Sequence, residues 1–186
     1  MISKNELREQ MKKKRRMLTK EEIIEKSKAI IDRLFGMADI NSAETIMVYL
    51  SAFKEPNTLG IIKKLEDMGK NIVVPVSNTD TCTITPSYID GTDELAKGAY
   101  GILEPLEVKK AKVEDIDIIL VPGLAFDEKC HRCGFGKGYY DRLLSKSRAK
   151  KIALCYDFQV ISEIEADEYD IPMDCIITER RTIDAF

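Results

Sequence analysis

Five short apolar runs rich in β-branched residues, Thr45 to Leu50, Asn71 to Val76, Ile116 to Val121, Lys151 to Tyr156 and Cys175 to Thr178, recur along the chain. Each is bounded by turn-forming or polar residues and reads as a strand. Helical patterns over Thr58 to Met68 and Gly138 to Lys146 fall between them, and strands alternating with helices imply a largely parallel sheet between helices. Thr81 to Tyr88 instead alternates polar with apolar residues, as a half-exposed strand at an edge or in a hairpin would. Ser3 with Glu6 and Thr19 with Glu22 match capping boxes, so two helices precede the first strand. The second carries an apolar stripe of Ile23, Ile24, Ile30, Ile31, Leu34 and Phe35 that can dock on a sheet.

The 186 residues, 44% hydrophobic and 33% charged, fit one domain over residues 1–186 with a substantial core. A net charge of -3 argues against general nucleic-acid binding, and the run Lys12 to Arg16 reads as a solvated helix face. No apolar stretch reaches the ~18 residues that span a bilayer and no apolar signal core opens the chain, so a cytoplasmic protein is expected. The five cysteines are odd in number and scattered, as reduced thiols would be. Cys130-His131-Arg132-Cys133 is a C-x-x-C with no second half to complete a zinc site, and reads as incidental loop cysteines.

Chemistry concentrates in the connection from Val121 to Arg142, which follows the third apolar run. Ligands of open α/β sheets bind at such strand ends. Gly134, Gly136 and Gly138 alternate, which frees the backbone for turns or for close approach to a phosphate or a flat heterocycle. Lys137 stands between two of them, where its ammonium can meet an anion also held by backbone N–H groups. The motif is not a Walker loop, because Gly138 occupies the place of the metal-binding hydroxyl; Asp141 could hold a metal instead. An ordinary glycine-rich loop with a capping helix is the competing reading of the glycines alone.

Elsewhere the residues by themselves say less. Lys4 and Arg8 lie four apart on a helix and can grip a polyphosphate together, as many surface pairs also could. Leu7 between them reads as core. Glu55 follows the first strand, where it could accept hydrogen bonds from an amino-pyrimidine edge or simply be a solvated turn residue before Pro56. Asp167, Glu168, Asp170 and Asp174 repel one another unless solvated or sharing a cation, and solvation is the simpler expectation.

These segments together resemble the 5-formyltetrahydrofolate cyclo-ligase (methenyltetrahydrofolate synthetase) family. The family's PGxAFD stands as Pro122-Gly123-Leu124-Ala125-Phe126-Asp127, and its G-x-R-L-G-x-G-x-G-Y-Y-D as Arg132, Gly134, Gly136, Gly138, Tyr139, Tyr140 and Asp141. Its K-x-x-L-R start matches Lys4, Leu7 and Arg8, and its strand-then-glutamate element matches Tyr49-Leu50-Ser51 with Glu55. The chain departs from the pattern at Cys130, Cys133 and Tyr169.

The resemblance implies a three-layer α/β/α fold and ATP-dependent closure of 5-formyltetrahydrofolate, with or without a polyglutamate tail, to 5,10-methenyltetrahydrofolate. In it Lys4, Arg8, Arg132, Gly134, Phe135, Gly136, Lys137, Gly138, Tyr139 and Tyr140 bind ATP. Leu50, Glu55, Phe135, Gly136, Lys137, Gly138 and Tyr139 bind the folate. Lys137, Arg132 and Tyr139 form the catalytic set, and Asp141 with Asp170 hold Mg²⁺. Rival readings are another ATP-dependent phosphotransferase on the same scaffold and a non-catalytic folate- or RNA-binding relative, since fold alone does not separate them.

Overall fold

The computed structural model describes residues 2–98 and 101–185. Two capped helices come first, α1 (Lys4–Arg16) and α2 (Lys20–Phe35), and both capping boxes form. After α3 (Ala38–Ser42) come β1 (Thr45–Met47), α4 (Leu59–Asp67) and the hairpin of β2 (Asn71–Asn78) and β3 (Thr83–Ile89). A second hairpin, β4 (Leu95–Lys97) with β5 (Leu103–Pro105), precedes β6 (Lys109–Lys110) and β7 (Ile118–Val121). β8 (Ala125–Asp127), β9 (Arg132–Cys133), α5 (Tyr139–Leu144), β10 (Lys150–Leu154), β11 (Val160–Ile161), β12 (Cys175–Ile177) and β13 (Thr182–Asp184) complete the fold.

The main sheet has eight strands in the order β13-β12-β10-β7-β1-β2-β3-β6. β12, β10, β7, β1 and β2 are parallel neighbours; β13 and β3 run antiparallel to them at the two sides, and β6 pairs antiparallel with β3. Residues two apart on each strand share a face, so the apolar runs serve two cores. Ile46, Ile72, Ile118, Leu120 and Ile152 face Ile30 and Leu34 of α2 and Ile62 and Leu65 of α4. Met47, Val73, Ile119, Val121 and Ala153 face Leu143 and Leu144 of α5. This is the three-layer α/β/α arrangement with a largely parallel sheet. α1 lies apart from both layers, its Leu7 and Met11 packed on Leu124, Ala125 and Cys133 beside the small sheet β11-β8-β9.

Several elements differ from the reading of the chain. Thr45 to Leu50 forms a ladder only to Met47, because after Val48 donates to Val73 (2.8 Å) the chain turns away into the site. Ile116 and Asp117 precede β7 rather than belong to it, since a 3-10 turn at Val113–Asp115 delivers the chain. The alternating segment forms a hairpin with β2 as expected, and the short β6 covers its outer side only at Ser87 and Tyr88, where Ser87 is fully buried. In α2 Ile24 is 58% exposed, because a full stripe is wider than the contact with the sheet.

Candidate active site

Chain order and spatial order part company between β1 and β7. β1 is followed outward by β2 on one side, and the chain then returns to place β7, β10 and β12 on the other. The loops leaving the C-terminal ends of β1 and β7 therefore diverge, and the crevice they leave is where ligands of such sheets sit. Here it is a cavity of about 540 Å³, within the usual range for small-molecule sites.

Its walls bring together every residue to which the resemblance gives a binding, catalytic or metal role: Lys4, Arg8, Leu50, Glu55, Arg132, Gly134, Phe135, Gly136, Lys137, Gly138, Tyr139, Tyr140, Asp141 and Asp170. Tyr169 is 76% exposed and lies outside it.

The glycine-rich loop forms one wall. Gly136 (φ +96°) and Gly138 (φ +70°) take conformations that side chains resist. Gly134 is needed for another reason, since a Cβ there would lie 2.5 Å from Nη1 of Arg132. Among the described residues, neither the N–H groups of residues 135–138 nor the Lys137 ammonium has an intramolecular partner. An exposed ammonium among free N–H donors is a cradle for an anion.

Basic and acidic groups pair off around this loop. Buried Arg132 donates to Asp141 (2.7 Å) and to the Pro122 carbonyl (3.4 Å), with its guanidinium 5.9 Å from the Tyr140 ring centre. Lys4 donates to Asp170 (2.6 Å) and Asp167 (2.8 Å), and Arg8 donates to the Gly134 carbonyl (2.9 Å). The acidic cluster is thus not simply solvated: Asp167 and Asp170 share Lys4, while Asp174 binds the Lys151 N–H (2.7 Å) at the far end of β10. The Lys4 ammonium is raised above the usual lysine range because its two carboxylates outweigh the burial that would lower it.

Glu55 stands on the opposite wall and is not a solvated turn residue. It is 8% exposed, accepts from the Ala52 N–H (2.9 Å) and lies 3.7 Å from Arg15. Burial lifts its carboxyl to about 7, against the lowering effect of Arg15 and that N–H. The run Lys12 to Arg16 is correspondingly not wholly solvated, because Arg15 is 2% exposed. The signal was present in the chain: Leu7, Met11 and Arg15 are spaced by four and share the buried face of α1.

Tyr49, which the chain marked only as part of the strand before Glu55, has a buried hydroxyl with no partner among the described residues, and the Arg132 Nε–H is likewise unpaired. Both residues line the cavity, and orphaned buried polar atoms at a cavity wall are where a ligand would supply the missing bonds. Ser77 and Thr79 of the β2–β3 hairpin and Leu103 and Glu104 of β5 also line the cavity; the register of neither hairpin could be read from local pattern.

The C-x-x-C thiols are buried and unpaired with one another, and burial pushes Cys130 up to about 11 and raises Cys133 as well. Among the described residues no group of three or more His, Cys, Asp or Glu side chains is arranged to hold a metal ion. Two carboxylates at one cavity still suit Mg²⁺, which is commonly held by one or two carboxylates together with substrate phosphates. Nor is any helix of the described residues long and apolar enough to cross a membrane.

Known proteins match this chain over nearly its whole length. The 5-formyltetrahydrofolate cyclo-ligase family model matches residues 1–179. A probable 5-formyltetrahydrofolate cyclo-ligase of Caenorhabditis elegans is 32% identical, covering 97% of this chain and 94% of the relative. The solved 5,10-methenyltetrahydrofolate synthetase of Aquifex aeolicus superposes with a TM-score of 0.86 at 32% identity, covering 97% of this chain and 92% of that one. The synthetase of Mycoplasma pneumoniae gives 0.79 at 26% identity, covering 96% and 99%.

Proposed function

The chain belongs to the 5-formyltetrahydrofolate cyclo-ligase family and is a ligase, and on that premise we propose which of its residues carry the ATP-dependent cyclisation of 5-formyltetrahydrofolate to 5,10-methenyltetrahydrofolate. One juxtaposition supports the reading most: a free lysine in a cradle of unpaired N–H groups faces a buried carboxylate across a cavity at the sheet's switch point. The first suits a polyphosphate, the second a nitrogen-rich ring, and the reaction needs both in one place.

A formyl oxygen on nitrogen is a poor leaving group, so closure requires its activation. In our reading the formyl oxygen attacks the γ-phosphorus of ATP and ADP departs, leaving an N5 iminium phosphate. N10 then attacks the activated carbon and loses its proton, and phosphate leaves with the original oxygen. Such a sequence asks the protein mainly to position reactants and neutralise charge.

Lys137, the N–H groups of residues 135–138 and Arg8 would hold the phosphates. Glu55 would accept hydrogen bonds from the amino-pyrimidine edge, with Leu50, Phe135 and Tyr139 as apolar walls. Asp141 and Asp170 would hold Mg²⁺, whose contribution is neutralisation of phosphate charge. Both carboxylates are already ion-paired, so nucleotide phosphates would take over Arg132 and Lys4 as the carboxylates turn to the ion.

Mixing the purified protein with 5-formyltetrahydrofolate and Mg-ATP should raise the methenyl-folate absorbance, in step with ADP release, and not without ATP. ATP consumed without that band would indicate another phosphoryl acceptor. Folate bound without ATP turnover would indicate a binding relative.

A further inference from the structure

We propose that Arg15, on the buried face of α1, is a positioning residue for substrate recognition: it clamps the strained turn from Ala52 to Glu55 and neutralises the Glu55 carboxylate that the turn presents. The inference rests on the assignment of Glu55 to the folate ring made above.

Phe53 (φ +50°) and Lys54 (φ +59°) stand consecutively in the left-handed region, which residues with a Cβ avoid. Such a turn persists only where its surroundings over-determine it. Here the surroundings come from distant parts of the chain. The Arg15 Nε–H donates to the Phe53 carbonyl (3.1 Å), Lys54 donates to the carbonyls of Arg16 (2.6 Å) and Leu18 (2.5 Å), and the Tyr156 hydroxyl donates to the Lys54 carbonyl (3.1 Å).

Arg15 differs from the other clamps in also reaching the carboxylate. Its Nη1 lies 3.7 Å from Glu55 Oε1 and donates to the Gly123 carbonyl (3.4 Å) in the loop after β7, so one guanidinium ties together both loops that leave the switch point. Its Cζ is also 5.8 Å from the ring centre of Phe135 in the glycine-rich loop. Around Glu55, α1 contributes Arg15, the turn itself contributes Lys54, whose ammonium is tied to the Arg16 and Leu18 carbonyls, and the phenols of Tyr49 beyond β1, Tyr140 of α5 and Tyr156 beyond β10 feel the carboxylate charge. Without Arg15 the carboxylate would lose the guanidinium that favours its charged form against burial, and a buried charge in that position takes up a proton.

The test is a kinetic cross of Arg15→Gln, Arg15→Lys, Glu55→Gln and the double variant Arg15→Gln/Glu55→Gln, with each substrate varied in turn and kcat/KM followed across neutral pH. Arg15→Gln should raise KM for the formyl-folate by roughly tenfold or more while KM for ATP stays within about twofold, and should move the acid limb of kcat/KM to higher pH. Arg15→Lys should return the limb toward its original position but recover only part of KM, because an ammonium keeps the charge and loses the fork of donors. In the Glu55→Gln background Arg15→Gln should add little.

Equal rises in both KM values, a lowered Tm with unchanged kinetics, or effects that multiply independently in the double variant would overturn the proposal. Folate KM unchanged in Glu55→Gln would remove the assignment of Glu55 and the proposal with it. A raised KM there beside a normal Arg15→Gln would remove only the role of Arg15. If Arg15→Gln does not fold, Arg15→Lys decides, and a wild-type folate KM in it counts against the clamp.

Discussion

The glycine-rich loop from Gly134 to Gly138 and the carboxylate turn from Ala52 to Glu55 face one cavity, and each reaches the left-handed region of backbone space by a different route. In the loop the conformation is local. Gly136 and Gly138 adopt positive φ without a Cβ to resist it, and the loop leaves its N–H groups and its lysine free. In the turn the conformation is imposed. Phe53 and Lys54 would not choose it, and hydrogen bonds from residues 38 positions before and 102 after hold it there. The loop is thereby suited to receive charge from a ligand, and the turn to present a charge that must not move.

The largest expected effect falls on the loop. Lys137→Ala should lower kcat/KM by about 10²- to 10³-fold, the range for loss of one preorganised charge-stabilising group, while thermal unfolding stays as in the wild type. Unchanged turnover would remove Lys137 from phosphate binding and erase the contrast between the two walls.

On the turn, the buried carboxylate should appear in the pH dependence of stability. Folding raises Glu55 from 4.5 to about 7. Between those values the folded chain keeps a proton that the unfolded chain has released, so this group destabilises progressively as pH rises and its full effect is present above about 7. The difference is on the order of 3 kcal/mol, and Glu55→Gln should remove it. Denaturant melts of both proteins across that window check it; parallel curves would mean the carboxylate is solvated.

Backbone substitutions then separate the two routes. Gly136→Ala should destabilise by about 1–3 kcal/mol, since its φ is +96° and a Cβ would approach Arg8 Cζ to 3.2 Å. Phe53→Gly should have the smallest effect. It relieves a φ of +50° but gives the unfolded chain more freedom, so stability should rise by less than about 1 kcal/mol in equilibrium unfolding. A loss of several kcal/mol would show that the Phe53 side chain, 64% exposed, packs more than its exposure indicates.

The same division explains what could be read from the chain. The glycine spacing, the apolar runs and both capping boxes are short-range signals, and the structure contains the loop, the parallel strands and the two helix starts they indicated. Strand ends were less legible, as at Met47, because a ladder stops where its partner stops rather than where apolar residues end. Arg15 stands inside a basic run that reads as solvated by composition, and only its spacing with Leu7 and Met11 marks it as buried. Glu55 by itself looked like a turn residue, since burial depends on what packs over it.

By itself, then, the sequence determined the identity of the secondary elements, the loop conformations that glycine alone permits and the list of chemically capable side chains, all of which depend on residues within a few positions of one another. Only the tertiary structure decided that β7 lies beside β1, that the loops of these two strands open one cavity, and that a guanidinium from the first helix meets a carboxylate forty positions later. Those outcomes follow from closing long stretches of chain around a shared core, and the strain at Phe53 and Lys54 is tolerated because that core holds the groups that oppose it.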